Sequence, residues 1–382
     1  MHCMTRPLHL NHSTCYESMQ PIPDTTKTSY LVGRFVGSNI GGAELSSESI
    51  ILDIYPHTHI KRIRLGKNKH FHTCPIIFEK TPDEFCFYPE FGPLDKISPF
   101  CNVLLYYLLL TIAPHIAPTF AQSPIIIGVG FHSIPLLSKY PDNSIFVFRS
   151  ESDTGLTPRP YSSYTSIAPF LKFALRALLD LPFRLLYRQL LRYSRFTFAA
   201  NSLYTRDLLA RLYRLDPQTI PVFYPSVSDE FITAIRELRQ RNFSTKSGYK
   251  IYLFGDSSLK GLPLFRRLSK YYSLISSLHQ FCCVSRQATS RNSLDGITYL
   301  EWGDPKNYYA DAALICVLSD VNETYCRVAH EASVLSIPLL AHNVGGITEA
   351  AFPSSTTIFL EPNSNLDIYI RSINYLLADA YE

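Results

Sequence analysis

The sequence is poor in glycine, with 16 in 382 residues, and holds only three methionines and one tryptophan. Large side chains must fill much of the interior, since aromatics reach 13%. Neither charge is in great surplus: 36 Lys and Arg against 32 Asp and Glu leave a formal +4. A nucleic-acid binder shows a concentrated basic face, so no nucleic-acid partner is expected. The nine cysteines are odd in number, and no two are spaced C-x-x-C. That argues against a secreted disulfide framework or a zinc ribbon and for reduced thiols in a cytoplasmic protein. Long apolar runs are missing too. The longest, from Phe100 to Ala113, is interrupted by Asn102 and stopped by Pro114. It falls short of the ~20 residues that span a bilayer and reads as a buried core helix. No apolar core of signal-peptide length stands in the first twenty residues. What is present is ample core material, 46% hydrophobic and 18% charged, which excludes wholesale disorder. The length suggests two domains.

Short apolar runs alternate with helical patterns in the second half. Tyr249–Gly255, Gln280–Ser285, Ile297–Trp302, Ala313–Leu318, Ile337–His342 and Thr356–Leu360 read as buried parallel strands. The first half repeats this rhythm more loosely, with strands at Tyr30–Val36, Ile76–Glu79, Pro124–Val129, Ser144–Phe148, Phe196–Ala200 and Ile220–Tyr224. Asn68 to Pro99 carries no clear pattern. The expected organisation is α/β, with two Rossmann-like domains facing across a cleft. It divides into an irregular extension (1–28), a first Rossmann-like domain (29–225), a polar linker (226–248), a second Rossmann-like domain (249–363) and a C-terminal helix (364–382) that returns to the first domain.

The chemistry concentrates between Ser319 and Glu349. Glu323 and Glu331 lie eight residues apart, after one predicted strand and before the next. Carboxylates there can accept hydrogen bonds from sugar or ribose hydroxyls. Gly345 and Gly346 follow the next strand and precede a short helix with Glu349, where backbone N–H groups can approach a phosphate. Lys260 follows the first strand of this half, and a point charge there suits a diphosphate.

The run Glu323-Thr324-Tyr325-Cys326-Arg327-Val328-Ala329-His330-Glu331-Ala332, with Gly345-Gly346-x-x-Glu349 and Lys260-Gly261, resembles the GT-B glycosyltransferases of the family 4 (group 1) type. Gly41-Gly42-Ala43-Glu44, Asn201-Ser202 and Val222–Pro225 extend the resemblance into the first half. It implies a retaining, metal-independent transferase that moves a sugar from a nucleotide-diphosphate sugar to a glycan or lipid-linked acceptor, with no cofactor. On that resemblance Lys260 holds the diphosphate and Glu331 the ribose. Glu323 meets the transferred sugar, the amides near Gly345 and Gly346 meet the donor, and Glu349 supports them. Gly41 and Gly42 let the first domain close. No D-x-D occurs.

Three departures favour an alternative, a protein of this shape that binds nucleotide sugar or glycan with impaired catalysis. Asp256 stands where many relatives have Arg, and Cys326 where they have Gly. No His follows Ser144–Phe148; Arg149 and His132 are the acceptor-side substitutes. His57, His59, His70, His72 and Cys74 match no standard zinc spacing and read as a polar loop. Lys172 to Arg195 is a basic, leucine-rich segment. Its expected form is a core-packed helix with a solvated charged face, broken near Pro182. Peripheral contact with an anionic membrane is its alternative use.

Overall fold

The computed structural model describes residues 28–33, 50–52, 59–67, 78–80, 84–90, 98–112, 125–149, 151–156, 167–243, 248–276, 278–285 and 296–378. Gly41, Gly42, His57, His70, His72 and Cys74 lie outside them. Two sheets organise the chain. The first is built from β1 (Thr28–Gly33), β2 (His59–Lys67), β3 (Phe78–Lys80), β4 (Glu84–Glu90), β5 (Ile126–Val129), β6 (Ser144–Phe148) and β7 (Thr197–Ala200), in the order β3-β4-β2-β1-β5-β6-β7. Its pairings are parallel except β3 with β4. The second holds β8 (Tyr249–Phe254), β9 (His279–Ser285), β10 (Ile297–Glu301), β11 (Ala312–Val317), β12 (Leu339–His342) and β13 (Thr357–Leu360), all parallel, in the order β10-β9-β8-β11-β12-β13. Each order reverses once, between β1 and β5 and between β8 and β11. In such sheets ligands settle beyond the carboxyl ends of the strands at the reversal.

Helices cover both sheets: α1 (Pro99–Ile112), α2 (Ile134–Lys139), α3 (Ile167–Arg192), α4 (Leu203–Tyr213), α5 (Asp229–Phe243), α6 (Leu262–Ile275), α7 (Pro305–Asp311), α8 (Arg327–Val334), α9 (Ile347–Ala350) and α10 (Leu366–Ala378). Valine, isoleucine and leucine in β5, β6, β11 and β12 leave these strands buried along their whole length. The five cysteines described with side chains, Cys101, Cys282, Cys283, Cys316 and Cys326, are buried free thiols.

Several expectations change. Ile220–Tyr224 is no strand; Val222 makes one bridge to Ala200. The supposed linker holds the helix α5. Ile235 is fully buried, Phe231 and Ile232 pack on the second sheet's core, and Arg239 donates to the carbonyls of Tyr309 and Ala312, 2.8 Å each. α10 does not return to the first lobe. Tyr369, Ile370, Ile373, Leu376 and Leu377 join Ile251, Leu314 and Leu340 in the second core, because that apolar face has its sheet at hand.

α3 also departs from expectation, since it runs through Pro182 unbroken. Anchors on both sides of the proline hold the two stretches together. Arg184 pairs with Asp180, which also accepts from Ser98 Oγ, and Tyr187 OH donates to Asp153 O at 2.7 Å. Most leucines of α3 face outward rather than inward: Leu171, Leu175, Leu178, Leu185 and Leu186 are all exposed.

Candidate active site

The reversal between β8 and β11 gathers the charged groups. After β8 the chain makes a short 3-10 turn, Ser258–Lys260, whose first amide bonds are capped by Ser257. Gly261 follows with φ 83°, and a Cβ there would sit 2.2 Å from Leu318 O. Glycine is therefore required where this turn crosses the end of β11. The turn brings Lys260 Nζ onto Glu323 Oε1, which also accepts from Ser319 Oγ at 2.6 Å. The Lys260 side chain remains 42% exposed and that of Glu323 17%. Burial pulls the Lys260 ammonium down, but the Glu323 carboxylate more than restores it, so the group sits above its ordinary range. Ser319, Leu318, Leu253, Phe254 and Cys326 line a small cleft around Lys260.

Glu331 lies deeper. It is 6% exposed, and its two oxygens accept from Tyr309 OH and Arg327 Nε. Burial, then Glu331, raises the Tyr309 phenol well above its ordinary value, so the tyrosine remains a donor. Cys326 caps α8 with φ −96° and ψ 100°, an extended backbone open to any residue. The position that relatives give to glycine carries no conformational demand here. Burial, then Glu323, pushes its thiol up to about 12, which keeps it neutral.

The glycine pair has a role that sequence reasoning missed. Gly345 has φ 57°, and a Cβ there would lie 2.3 Å from Glu323 O. A Cβ on Gly346 would lie 2.2 Å from Thr324 O. Gly346 N–H donates to Glu323 O at 2.7 Å. These glycines let two loops touch and fix the backbone that carries Glu323. The Gly346 amide is thus engaged with protein, not turned toward open space.

Residues 229–382 match the family model described as glycosyl transferases group 1. That stretch covers the C-terminal lobe. The match begins at the first residue of α5, the helix that packs on this lobe. Among solved structures, a sucrose-phosphate synthase from Thermosynechococcus elongatus superposes with TM-score 0.60 at 15% identity, covering 93% of this chain and 90% of that one. An α,α-trehalose-phosphate synthase (UDP-forming) from Burkholderia vietnamiensis gives 0.58 at 12%, covering 93% and 92%. HepE from Anabaena, solved in complex with UDP-glucose, gives 0.54 at 14%, covering 92% of each. These likenesses show the GT-B fold over both lobes. No curated protein matches the chain.

The C-terminal lobe meets the N-terminal lobe beside Glu323. Thr324 Oγ1 donates to Arg149 O and lies 3.3 Å from Asn201 Nδ2, while Thr324 O accepts from Ser202 Oγ. Glu349 also crosses the seam. Its carboxylate accepts from Leu203 N at 2.5 Å, Tyr204 N at 3.1 Å and Tyr224 OH at 2.5 Å. It caps the first turn of α4, where a negative charge is favoured. Burial, then its bond to Glu349, raises the Tyr224 phenol. Glu349 joins the lobes, apart from the Lys260–Glu323 pair. Arg149 ends β6 at the same seam, with its amide on Asp153 Oδ2 at 3.2 Å. His132 is buried in a 3-10 turn after β5, its ring 4.1 Å from that of Phe131. Tyr309, Arg327, Ser319 and Thr324 went unread in sequence. Arg327 four residues before Glu331 was the one signal available for them.

Proposed function

We propose that the protein is a retaining transferase that moves a sugar from a nucleoside-diphosphate sugar to a hydroxyl of a glycan or lipid-linked acceptor. The observation that carries this reading is the Lys260–Glu323 pair, set at the strand-order reversal with Glu331 behind it. Lys260 receives the diphosphate, exchanging the Glu323 carboxylate for phosphate oxygens. Glu323, released from the ammonium, turns to the sugar hydroxyls. Glu331, held by Tyr309 and Arg327, accepts from the ribose hydroxyls. The bond from the anomeric carbon to the diphosphate oxygen breaks as the acceptor oxygen bonds to that carbon from the same face. The acceptor proton leaves with the diphosphate. Lys260 stabilises the charge that develops on the leaving group, and the seam at Thr324 and Glu349 keeps competing water out.

In this reading Gly41 and Gly42 serve the donor, and Arg149 and His132 the acceptor. The chemistry needs no metal, because Lys260 supplies the countercharge. The buried free thiols fit a reducing, cytoplasmic setting.

HepE was solved with UDP and with UDP-glucose, so uridine diphosphate is the first nucleotide to test beside GDP and ADP. Calorimetry should give one preferred nucleotide. Lys260→Ala should weaken its binding at least tenfold; unchanged affinity removes Lys260 from the site. A binder with impaired catalysis is the second reading, favoured by Asp256 at the end of β8. Transfer and donor hydrolysis that fall in Glu323→Gln while nucleotide affinity holds would decide for the enzyme. Their absence in the unaltered protein would decide for the binder.

A further inference from the structure

The outward face of α3 has no counterpart in the site chemistry. The helix spans 26 residues, about 39 Å at 1.5 Å per residue. Its inner side is fixed by Asp180, Arg184, Tyr187 and Leu191, which meet α1 and the loop after β6. Directly opposite run Leu171, Leu175, Leu178 and Leu185, at steps of three, four and seven, flanked by Leu179 and Leu186. All six are between 52% and 65% exposed. A helix of a water-soluble domain turns such a row toward its core. Here the row is aimed away from it, over several turns, which marks an interaction site.

The charges around the row are of one sign. Arg176 borders it on one side, and Arg188 and Arg192 on the other. The one acid of the helix, Asp180, is 3% exposed and paired with Arg184 on the inner side. A second copy docked here would set arginine rows against arginine rows. Leucines between arginines instead match a surface that is apolar within and anionic above. Among the described residues no helix is long and apolar enough to cross a membrane, so this one lies along the surface.

We propose that α3 docks the N-terminal lobe onto an anionic lipid surface, with the leucine row in the acyl boundary and the arginines at the headgroups. This goes beyond the donor reading and stands without it, since no nucleotide enters the test.

The full chain is sedimented with vesicles of phosphatidylcholine alone and with 30% phosphatidylglycerol, at low and high salt. The anionic vesicles should capture the protein at least tenfold better than the neutral ones, and high salt should lower capture several-fold. L175E/L178E should reduce capture at least tenfold and R176E/R192E several-fold. Both variants should keep the thermal midpoint of the unaltered protein, because these side chains make little of the core. Absence of capture by anionic vesicles overturns the proposal. So does equal capture of the L175E/L178E variant at an unchanged midpoint. A dimer by light scattering that L175E/L178E turns into monomer, with no vesicle capture, assigns the face to a second copy and equally overturns it.

Discussion

Two long amphipathic helices, one from each lobe, use the same pattern in opposite senses. α6 turns Leu262, Phe265, Leu268 and Tyr272 onto its sheet and leaves Lys270 exposed. α3 turns most of its leucines to the outside and holds α1 and the loop after β6 through Asp180, Arg184 and Tyr187. The periodicity of a helix names its apolar face but not the direction that face takes. Direction is set by what the other face offers. In α3 that is a buried ion pair, a phenol bonded to a backbone carbonyl and the ring of Phe100, 5.1 Å from the Arg184 guanidinium. Such anchors satisfy the polar groups they bury, and a helix can then dispense with apolar packing along much of its length.

The contrast predicts a sharp order of effects. Asp180→Ala leaves Arg184 buried without its carboxylate and should cost about 3–5 kcal/mol in denaturant unfolding. Leu268→Ala in α6 should cost about 2–5 kcal/mol, as for a large side chain removed from a packed core. Leu178→Ala in α3, by the same measurement, should stay within about 0.5 kcal/mol. Equal costs for the two leucines would break the comparison. Glu349→Gln weakens the cap on α4 across the seam and should cost about 1 kcal/mol. The smallest effect is on acidification. Burial holds the His342 ring below its ordinary range, with Nδ1 3.0 Å from Ser319 O and Nε2 2.8 Å from Tyr369 OH. The unfolded chain then binds more protons than the folded one below about pH 6.5. Stability present above that pH should therefore decline as pH falls through it. The unfolding midpoint at pH 5 against pH 7 checks this, with His342→Gln flattening the difference.

Much of the C-terminal lobe was legible, because its strands are continuous apolar runs between turn residues. Ala312–Val317 falls within a residue of its predicted bounds. The first sheet was harder to read. β2, His59–Lys67, carries Lys61, Arg62 and Arg64, and its place between β1 and β4 makes it a strand despite that composition. α5 looked like a linker because Arg239 continues the row of Phe231, Ile232 and Ile235, yet it closes against backbone carbonyls as firmly as an apolar residue would. At the site, the residue types were readable and their pairings were not. Nothing in the spacing of Gly345 and Gly346 says that they brace Glu323, nor in that of Glu349 that it reaches α4.

Thr324 holds the other lobe on three sides while its neighbour grips Lys260. A twist of one lobe upon the other is therefore transmitted within one peptide unit to the acid beside that lysine. One peptide unit separates the interlobe seam from the charge pair, so the two are built as a single piece.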